Sequence, residues 1–590
     1  MSATLTEQRH TLAHLLAAAI RELYPHAKAT IGPAIDNGFY YDFDFSGGAI
    51  PGADNLPAIQ AKMVELLPTW KEFLCEEVSP ADARSYFAKN EFKTELIDNL
   101  EAAKEKITFY TIPAINYQLS TNNSFTDLCR GGHAEHPSAD IAADSFKLDK
   151  TAGAYWRGDE KNPMLTRIYG LAFETKAELD AFITQREEAI KRDHRKIGAE
   201  MKLFTLSPLI GAGLPLMQPR GMIIRKEIED YLWLLHKGKG YGRVWTPHLA
   251  KEELYITSGH AAKFGDELFR VSGKEEKFFM KPMNCPHHMQ LFADNQFSYR
   301  DMPVRYFEPA TVYRDEKTGQ LSGLTRVRAI TQDDGHLFCR VSQINQEVST
   351  IVGIIKEFYT TMRMIDGYWV RLSVRGPEGN YLGTDEVWAT AEAALESAAK
   401  SNDLPYRRVE GEAAFYGPKL DFMFKDAIGR EWQLATIQCD FNLPERFDLS
   451  FINEKGEKER PVVIHRAISG SLERFMGVMI EHFAGAFPLW LAPVQIKVLP
   501  VSDKHTEYAQ TLVDSLSAAD IRAELSDGDS LGKRIRAAKV EKVPYLLVVG
   551  EQEITDKTAT LESRDAGKIG VLPLAEIITK LQEEIRVRAV

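Results

Sequence analysis

The middle of the chain, from about residue 203 to 490, consists of apolar β-type runs separated by glycine- and proline-containing turns rather than by regular helices. A strand that pairs in parallel with its predecessor needs a long crossover, usually a helix, whereas antiparallel strands need only a short turn. This segment therefore predicts a sheet that is mainly antiparallel.

The C-terminal segment, residues 491–590, follows a different pattern. Its apolar runs "QIKVLPV", "IRAEL" and "YLLVVG" alternate with helical stretches, and a further helix ends the chain. Regular alternation of strands and helices predicts a small doubly wound α/β domain with a mostly parallel sheet.

We expect a multidomain α/β and α+β protein, because 590 residues exceed the usual size of one domain. Residues 1–135, with an opening helix and the hairpin pattern "IGPAIDNGFYYDFDF", predict a compact α+β domain. Residues 136–197 predict a small second subdomain that ends in a charged linker helix. Residues 198–490 form the predicted antiparallel domain, and 491–590 form the C-terminal α/β domain.

The composition limits the compartment and the partners. The five cysteines are scattered and odd in number, which argues against a disulfide framework and for a reducing environment. No apolar run approaches the length of a membrane span, and "MSATLTEQRH" has no features of a signal peptide or an Arg-rich presequence, so we expect a cytoplasmic protein without membrane contact. The net charge of −12 disfavours nonspecific coating of nucleic acid but is compatible with RNA binding through a local basic face.

Two histidines, His10 and His14, lie four residues apart in the stretch "RHTLAHLLAAAI". The helical period places them opposite the apolar stripe formed by Leu12, Leu16 and Ile20. They are therefore not predicted to be ordinary core histidines, and a solvated helix face is the simplest alternative to a functional pair.

A second pair, Cys129 and His133, lies in "CRGGH", where the two glycines rule out a regular helical turn and predict a tight loop. Together with His10 and His14 it makes a four-ligand set of zinc type. A neutral imidazole beside a thiol and water suits metal-free acid–base hydrolysis equally well. Spacing alone does not separate these two alternatives from a third, two unrelated surface pairs.

Two stretches of the central segment combine arginines with carboxylates. In "VYRDEKTGQLSGLTRVRAI", Arg314 and Glu316 are predicted to leave a first strand on one face, and Arg326 begins a similar arrangement on the return strand. Such a pattern suits a nucleoside triphosphate with bound Mg2+, although a surface salt-bridge ladder is the commoner structure. In "HRAISGSLERF", a strand and a small-residue turn bring Glu473 and Arg474 to the start of a helix, where anions are favoured.

In chain order these stretches resemble the three signature motifs of class II aminoacyl-tRNA synthetases. The matching residues are Gly240 and Pro247 for motif 1, Arg314, Glu316 and Arg326 for motif 2, and Gly470, Glu473 and Arg474 for motif 3. The segments "KPMNCPHHM", "RVRAITQDDGHLFC", "AFYGPKLDF", "WQLATIQCDF" and "VVIHRAISGSLERF" resemble threonyl-tRNA synthetases. "HTLAH", "IDNGFYYDFDF", "DLCRGGH" and "AYWRGDE" resemble that family's editing domain and its adjoining subdomain, so the resemblance covers essentially the whole chain.

The resemblance implies one zinc ion per subunit, held in the synthetic site by Cys285, His336 and His465. Three protein ligands leave the metal open, and the family uses that opening to bind threonine through its amino group and its hydroxyl. Valine has no oxygen to offer and would be rejected. The family positions around the amino acid correspond to Gln332, Asp334, Tyr416 and Gln438.

The resemblance also implies that ATP with Mg2+ is consumed to form threonyl-adenylate, from which threonine is transferred to tRNA(Thr). Arg314 and Arg474 would grip the phosphates and stabilise charge as the threonine carboxylate attacks the α-phosphorus. Glu316 would read the adenine amino group. The other positions of the ATP pocket are Arg326, Gln433, Ser471 and Lys419, and Lys419 is predicted to assist catalysis together with the two arginines.

Serine is the difficult competitor, because it keeps the hydroxyl and loses only one methyl group, a difference worth about 10–200-fold in discrimination. A second, hydrolytic site is therefore expected to clear seryl-tRNA(Thr). The resemblance assigns this editing site to His10, His14, Cys129 and His133, with Tyr41, Lys93 and Asp127 as companions, and implies hydrolysis through water without metal.

The C-terminal domain is expected to read the anticodon. Its basic run "KRIRAAKVEK" offers Lys533, Arg534, Arg536 and Lys539 for phosphate contacts, where a solvated helix face would otherwise be the default interpretation. Motif 1 residues usually pack across a two-fold axis in this class, so a homodimer is also expected.

The sequence departs from the family pattern at three places. A small N-terminal domain that is common in the family is expected to be absent, because only nine residues precede His10 in this sequence. Ile330 stands where many relatives carry an aromatic residue that stacks on adenine, which predicts weaker ATP binding, and Gly132 stands where proline is common, which predicts a looser editing loop. The competing hypothesis is a non-synthetic paralogue, either an RNA-binding regulator or a free-standing deacylase, and the presence of Arg314 and Arg474 argues against it.

Overall fold

The computed structural model describes residues 3–113 and 124–589. The chain forms two compact units, Met1–Glu187 and Glu188–Val590. Each unit has its own sheets and its own hydrophobic core. Within the two described ranges, none of the helices combines the length and the apolar character that crossing a membrane requires.

The first unit mixes short strands and helices. Its strands are β1 Lys28–Ala29, β2 Ala34–Ile35, β3 Gly38–Asp44, β4 Leu74–Glu77, β5 Thr108–Ile112, β6 Phe125–Leu128, β7 Phe146–Tyr155 and β8 Met164–Ala172. Its helices are α1 Leu5–Leu23, α2 Leu56–Leu66, α3 Pro80–Tyr86, α4 Glu91–Ala102 and α5 Pro137–Asp140, and α6 Lys176–Lys191 spans the division between the units.

Helix α1 is the centre of the first unit's core. It starts with a capping box, in which the Thr4 hydroxyl accepts from the Glu7 amide and the Glu7 carboxylate accepts from the Thr4 amide. Its leucines and alanines pack against aromatic residues of β3 and against α2. Strand β2 pairs antiparallel with β3, which confirms the predicted hairpin. The helix that carries His10 and His14 is therefore capped at its start and buried from Thr11 to Ile20.

The main sheet of the first unit joins two segments that the sequence analysis separates. Its order is β1-β3-β8-β7, with β2 beside β3. Strands β7 and β8 come from residues 136–197, yet β8 pairs with β3 from residues 1–135. The structure thus differs from the predicted division at 135/136, because long-range strand pairing connects segments whose local composition differs. A second sheet, β4-β5-β6, carries Asp127.

The second unit, up to about residue 490, is built around a large sheet. Its strands are β9 Phe204–Thr205, β10 Leu216–Met217, β11 Gly242–Arg243, β12 Leu249–Lys251, β13 Arg270–Ser272, β14 Lys277–Met280, β15 Val304–Tyr313, β16 Ala329–Cys339, β17 Trp369–Val374, β18 Tyr406–Glu410, β19 Lys419–Lys425, β20 Glu431–Asp440, β21 Phe451–Ile452, β22 Lys458–Glu459 and β23 Val462–Ser471. Its helices are α7 His194–Glu200, α8 Pro219–Lys237, α9 Glu252–Ser258, α10 His260–Phe264, α11 Cys285–Ala293, α12 Ile344–Thr361, α13 Asp385–Ser401, α14 Asn442–Arg446 and α15 Leu472–His482.

The large sheet has the order β11-β15-β16-β23-β20-β19-β17-β18. Its central pairings are antiparallel, and the two parallel pairings, β11 with β15 and β17 with β18, lie at its edges. The predicted antiparallel core is therefore confirmed. One face of the sheet packs its apolar side chains against α12 and α15. Because side chains alternate along a strand, polar residues one position away lie on the other face.

The C-terminal part of the second unit has five further strands among its described residues. Its elements are β24 Ile496–Pro500, α16 Thr506–Ala518, β25 Ala523–Leu525, α17 Leu531–Val540, β26 Tyr545–Val549, α18 Glu551–Asp556, β27 Thr558–Ser563, β28 Gly567–Pro573 and α19 Leu574–Arg586. The three predicted strands, β24, β25 and β26, form the expected parallel sheet. The sheet continues with β27 and β28, which are antiparallel because a short turn joins them.

Replacing Phe475 by alanine should destabilise the second unit. Phe475 is fully buried on α15, and its ring packs against those of Phe358 and Tyr359. The cavity left behind should lower the free energy of unfolding by about 3–5 kcal/mol. Urea unfolding followed by circular dichroism measures this change. Val540→Ala, at a side chain that is 74% exposed, is the control and should cost less than about 0.5 kcal/mol. Equal costs for both variants would contradict the packing described here.

Candidate active sites

The four predicted residues of the N-terminal cluster meet in one place. Helix α1 presents His10 and His14 one turn apart, and the segment after β6 presents Cys129 and His133. The Cys129 sulfur lies 3.5 Å from His10 Nε2 and 3.4 Å from His133 Nε2, and the Nε2 atoms of His10 and His14 are 3.2 Å apart. The two pairs are therefore spatial neighbours rather than unrelated surface pairs.

The predicted tight loop depends on its two glycines. Gly131 and Gly132 have φ angles of +95° and +82°, a region that side chains with a Cβ avoid. A Cβ on Gly131 would also lie 2.6 Å from the Tyr110 hydroxyl. The carbonyl of Gly132 lies 3.1 Å from His10 Nδ1, so this nitrogen is the donor and His10 Nε2 is turned toward the sulfur of Cys129.

Asp127 contacts both His14 of this cluster and the two other residues predicted to accompany it, Tyr41 and Lys93. Its carboxylate lies 3.1 Å from His14 Nδ1, 2.5 Å from Lys93 Nζ and 2.5 Å from the Tyr41 hydroxyl. His14, Lys93 and Asp127 are each at most 3% exposed. A solvated helix face is therefore the wrong interpretation for His14, because the sheet that carries Asp127 covers that side of α1.

The cluster contains compensating charges. Burial alone would lower the pKa of His14, but hydrogen bonds and charge from Asp127 and Cys129 raise it to about 9. Burial alone would raise the pKa of Cys129, but hydrogen bonds with His10, His133 and His14 lower it to about 3. Burial lowers the pKa of His133. The predicted neutral imidazole fits His133, whose pKa is lowered, but the predicted thiol does not fit Cys129, which is a thiolate beside both His133 and the imidazolium of His14.

The same four residues have the donor types of a zinc site. Their ligand atoms lie within 4.8 Å of one another. The outward nitrogens of His10 and His14 contact Gly132 and Asp127, as they would behind a metal or in a metal-free hydrolytic site. Geometry leaves both alternatives open.

A second cluster is formed by Cys285, His336 and His465. Strands β16 and β23 pair so that His336 lies directly opposite His465, and Cys285 is the first residue of α11. The three side chains are buried, and their ligand atoms lie within 4.8 Å of one another. The structure therefore brings together three residues that are far apart in the chain.

The imidazoles of this cluster each keep one nitrogen without a partner. His336 Nε2 and His465 Nδ1 are buried and find no hydrogen-bond partner among the residues described. Their other nitrogens lie 2.8 Å from His288 Nδ1 and 2.8 Å from Asp440 Oδ2. An unpaired buried polar atom is costly, and a histidine backed by a carboxylate is the usual support of a metal ligand. The cluster therefore fits a metal ion.

The residues predicted to surround the amino acid adjoin this cluster. Gln438 lies directly opposite His465 on the neighbouring strand β20. The Tyr416 hydroxyl donates to the Gln438 side chain, and the Tyr416 ring stacks on His465 with centroids 4.8 Å apart. Asp334 lies two residues before His336 on β16, so both side chains are on one face. Gln332 continues this alternation toward the start of β16 and pairs with Ser471 across a bulge.

Three residues predicted to bind ATP lie in a loop rather than on strands. Strand β15 ends at Tyr313, before Arg314 and Glu316, and β16 begins at Ala329, after Arg326. The prediction that these side chains share a strand face is therefore wrong. Residues 314–328, here called the ATP loop after the role predicted for three of them, connect the two strands instead, and Arg326 pairs with Glu316 at 2.8 Å. The Arg314 guanidinium lies over the Phe264 ring, 4.8 Å from its centroid.

Arg474 lies on the first turn of α15, the helix that follows β23. Ser471 caps this helix, because its hydroxyl accepts from the Arg474 amide at 3.1 Å. The Arg474 guanidinium lies 5.5 Å from the centroid of the Trp432 ring. The strand-to-helix transition predicted for this stretch is confirmed, and it directs Arg474 toward β20.

Lys419 and Gln433 extend the same sheet face. Lys419 is directly opposite Gln438, and its ammonium lies 2.8 Å from Asp421. Arg371 donates to the Gln433 side chain at 2.8 Å and to Asp421 at 3.2 Å. The sequence did not predict six residues that support the second cluster and the adjoining sheet face: Asn284, His288, Glu308, Arg371, Asp421 and Asp440. Four of them lie in the family-like segments "KPMNCPHHM", "AFYGPKLDF" and "WQLATIQCDF", whereas Glu308 and Arg371 lie outside these segments.

The comparisons with known proteins agree with this arrangement. The family model described as "tRNA synthetase class II core domain (G, H, P, S and T)" matches residues 269–483, and "Anticodon binding domain" matches residues 495–584. A threonine–tRNA ligase of Gloeobacter violaceus is 45% identical over 98% of this chain and 92% of that protein. The chain belongs to the threonyl-tRNA synthetase family.

Two further comparisons support membership of the threonyl-tRNA synthetase family. A threonine–tRNA ligase of Thermus thermophilus is 45% identical and aligns with 98% of this chain and 88% of that protein. A crystal structure entitled as the RNA binding domain of threonyl-tRNA synthetase from Cryptosporidium parvum superposes with a TM-score of 0.64 at 35% identity, covering 66% of this chain and 98% of that chain. The core match includes Cys285, His336 and His465.

One of the residues predicted to contact tRNA has a different role. Arg534 on α17 is 7% exposed, and its guanidinium donates to the carbonyls of Pro500, Ser526 and Asp529. It holds the loop before α17 and is not free to bind a phosphate, so its predicted role is corrected. Lys533 and Lys539 are exposed and pair with Asp529 and Glu562, and Arg536 is also exposed.

Cys129 should react as a thiolate well below neutral pH. With a pKa of about 3, its alkylation by iodoacetamide should be nearly independent of pH between pH 5 and 8. An ordinary thiol with a pKa near 8.5 would react about tenfold faster for each pH unit in that range. Mass spectrometry of the Cys129 peptide in a Cys75→Ser background measures the rate. A tenfold rise per pH unit would contradict the assigned thiolate, and protection that a chelator removes would indicate bound metal.

Proposed function

We propose that this chain activates threonine with ATP and transfers it to tRNA(Thr), the activity named for its relatives. The observation that carries the proposal is the cluster of Cys285, His336 and His465, with its two unpartnered imidazole nitrogens. The residues predicted to bind the substrate threonine adjoin this cluster, and residues predicted to bind ATP continue along the same face of the sheet.

One zinc ion is proposed at this cluster, because a thiol with two imidazoles suits Zn2+ among the common ions. Bound there, zinc would supply a Lewis acid with an open position for the amino group and hydroxyl of threonine. Asp440 and His288 orient the two imidazoles so that their unpartnered nitrogens remain available. Asn284 donates to Asp334 at 3.0 Å and so holds a carboxylate ready to accept from the substrate's ammonium or hydroxyl group.

The ATP side of the site offers two unsatisfied cations. Arg314 and Arg474 each have a buried Nε that finds no partner among the described residues. Burial lowers the pKa of both guanidinium groups, so each gains stability from an anion that replaces the lost solvent. Phosphate oxygens of ATP, which enters as its Mg2+ complex, would satisfy both donors. Glu316 would accept from the adenine amino group while Arg326 holds it in place.

The N-terminal cluster is proposed to hydrolyse seryl-tRNA(Thr) without metal. His133 has a lowered pKa and is suited to take a proton from water. The imidazolium of His14 would stabilise negative charge that develops on the ester carbonyl. The thiolate of Cys129 and the carboxylate of Asp127 balance that cation and the ammonium of Lys93, so the cluster is compensated without a bound ion.

The proposed partners follow from the same assignment. The anticodon of tRNA(Thr) would bind the C-terminal part, where Lys533, Arg536 and Lys539 are exposed on α17. A homodimer is proposed because Trp245, beside the predicted motif 1 residue Pro247, is 73% exposed, as expected of a contact surface. A cytoplasmic location stays a prediction of the sequence.

Threonine-dependent exchange of pyrophosphate into ATP tests the synthetic activity. We expect exchange with threonine, exchange with serine that is weaker by about 10–200-fold, and almost none with valine. Cys285→Ser should lose zinc and at least about 100-fold of the activity, whereas Cys75→Ser, at an exposed cysteine, should keep both. Absence of exchange with zinc-loaded protein would favour the alternative, an RNA-binding regulator or a deacylase.

Hydrolysis of seryl-tRNA(Thr) tests the editing activity separately. The double variant His10→Ala/His14→Ala should release serine at least about 100-fold more slowly than the unaltered chain, because it loses the cation and the contacts to Cys129. Its threonine-dependent exchange should be unchanged, which shows that the protein is folded. Equal rates of serine release in both proteins would remove the editing assignment.

A further inference from the structure

A third group of potential metal ligands lies in the second unit. Asp193, His194 and Glu481 have ligand atoms within 4.8 Å of one another. Both nitrogens of His194 are already used, since Nδ1 lies 2.6 Å from Glu481 Oε1 and Nε2 accepts from the Leu324 amide at 3.0 Å. Arg430 lies 2.6 Å from the other oxygen of Glu481. A metal would have to break one of these bonds, so this group is a structural connection rather than a metal site.

His194 connects two elements that carry predicted ATP residues. Leu324 lies at the tip of the ATP loop, two residues before Arg326, and Glu481 lies at the end of α15, the helix that begins beside Arg474. The imidazole itself is 3% exposed. Because the Leu324 amide donates to Nε2, the proton of a neutral His194 must be on Nδ1, where it donates to Glu481.

The partners of His194 are themselves fixed. Burial would raise the pKa of Glu481, but hydrogen bonds from His194 and the charge of Arg430 hold it below its ordinary value, so the carboxylate stays ionised. The Leu324 side chain is fully buried in the main core. The tip of the ATP loop is therefore held both by the buried side chain of Leu324 and by the hydrogen bond from the Leu324 amide to His194.

The glycine beside Leu324 shows how closely the loop approaches the imidazole. Gly323 has a φ of +50°, and a Cβ there would lie 2.2 Å from His194 Nε2. On α15, a Cβ at Gly477 would lie 3.1 Å from Thr325 and 3.3 Å from Leu324. The loop tip thus packs closely on the helix at a position that leaves little room for a larger residue.

This attachment opposes an electrostatic repulsion. Burial lowers the pKa of Arg474, and the positive charge of Arg326 lowers it further, so the two guanidinium groups repel each other. The ion pair of Arg326 with Glu316 reduces this repulsion, and what remains of it favours movement of the ATP loop away from α15 when no phosphates lie between the two arginines. The hydrogen bonds of His194 to Leu324 of the loop and to Glu481 of α15 limit that movement. The electrostatic free energy needed to bring the two arginines together is therefore supplied during folding rather than during ATP binding.

We propose that His194 is a positioning residue for ATP, which holds the ATP loop at the distance from α15 that lets Arg326 and Arg474 bind one ATP molecule. The proposal rests on the proposed function, in which these two arginines bind ATP. His194 contacts neither ATP nor threonine in this account. Its effect should therefore appear in the apparent affinity for ATP and not in that for threonine.

Two amide substitutions separate the two bonds of His194. In His194→Gln the side-chain oxygen can take the place of Nε2 and accept from Leu324, whereas in His194→Asn the amide can take the place of Nδ1 and donate only to Glu481. Pyrophosphate exchange should show a KM for ATP raised about tenfold in His194→Asn and within about threefold of normal in His194→Gln. The KM for threonine should change less than twofold in both. An equal rise of the KM for ATP in the two variants, or equal changes of the KM for ATP and the KM for threonine, would overturn the proposal.

A glycine substitution tests the same attachment from the loop. Gly323→Ala should push the loop tip off His194 and raise the KM for ATP as His194→Asn does. Gly353→Ala, on the exposed side of α12 and outside the ATP loop, is the control, because a Cβ at Gly353 would have no neighbour within 4 Å among the described residues. A normal KM for ATP in Gly323→Ala would contradict the attachment.

Hydrogen exchange of the ligand-free protein separates this proposal from the proposed function. The Leu324 amide should be protected in the unaltered chain and in His194→Gln, and should exchange at least about tenfold faster in His194→Asn. This result does not depend on catalysis. If the Leu324 amide loses its protection in His194→Asn but the unaltered chain shows no threonine-dependent exchange of pyrophosphate into ATP, only the proposed activity is refuted. If the Leu324 amide stays protected in His194→Asn, the positioning role is refuted.

Discussion

The chemistry of the second unit depends on the register between β16 and β23. This register sets His336 directly opposite His465, and the same row continues to Gln438 on β20 and Lys419 on β19. A shift by one residue would turn the whole row to the core side, because side chains alternate along a strand. The register is secured by the apolar residues of the other face, which are fully buried: Leu337, Ile464, Ile437 and Leu420.

The two clusters stabilise buried polar groups in different ways. In the first unit, cations and anions compensate one another, since His14 and Lys93 face Asp127 and Cys129. In the second unit, burial raises the pKa of Cys285 and lowers that of His336, so both groups are neutral unless a cation binds. Metal binding would deprotonate the thiol and satisfy the unpartnered nitrogens. This difference is the physical reason for assigning zinc to the second cluster and metal-free hydrolysis to the first.

The sequence predicted those features that depend on local spacing. The antiparallel core followed from its short turns, the helix at Arg474 from its small-residue turn, and the loop at Gly131 from its two glycines. The surroundings of His14 could not be predicted in this way, because its buried partner Asp127 lies more than 100 positions away in the chain. Cys285, His336 and His465 were identified only through resemblance to a family, since sheet register rather than spacing brings them together. Arg534 belongs to a basic run typical of a surface, but its guanidinium turns back onto three carbonyls.

X-ray absorption at the zinc edge of the purified, unaltered chain tests the central claim most directly. The account predicts one zinc per chain, with one sulfur ligand at about 2.3 Å and two imidazole nitrogens at about 2.0–2.1 Å. Addition of threonine should add nitrogen or oxygen ligands without removing the sulfur, and addition of valine should leave the spectrum unchanged. A spectrum with one sulfur and three imidazoles that does not respond to threonine would place the metal at the N-terminal cluster and contradict the account.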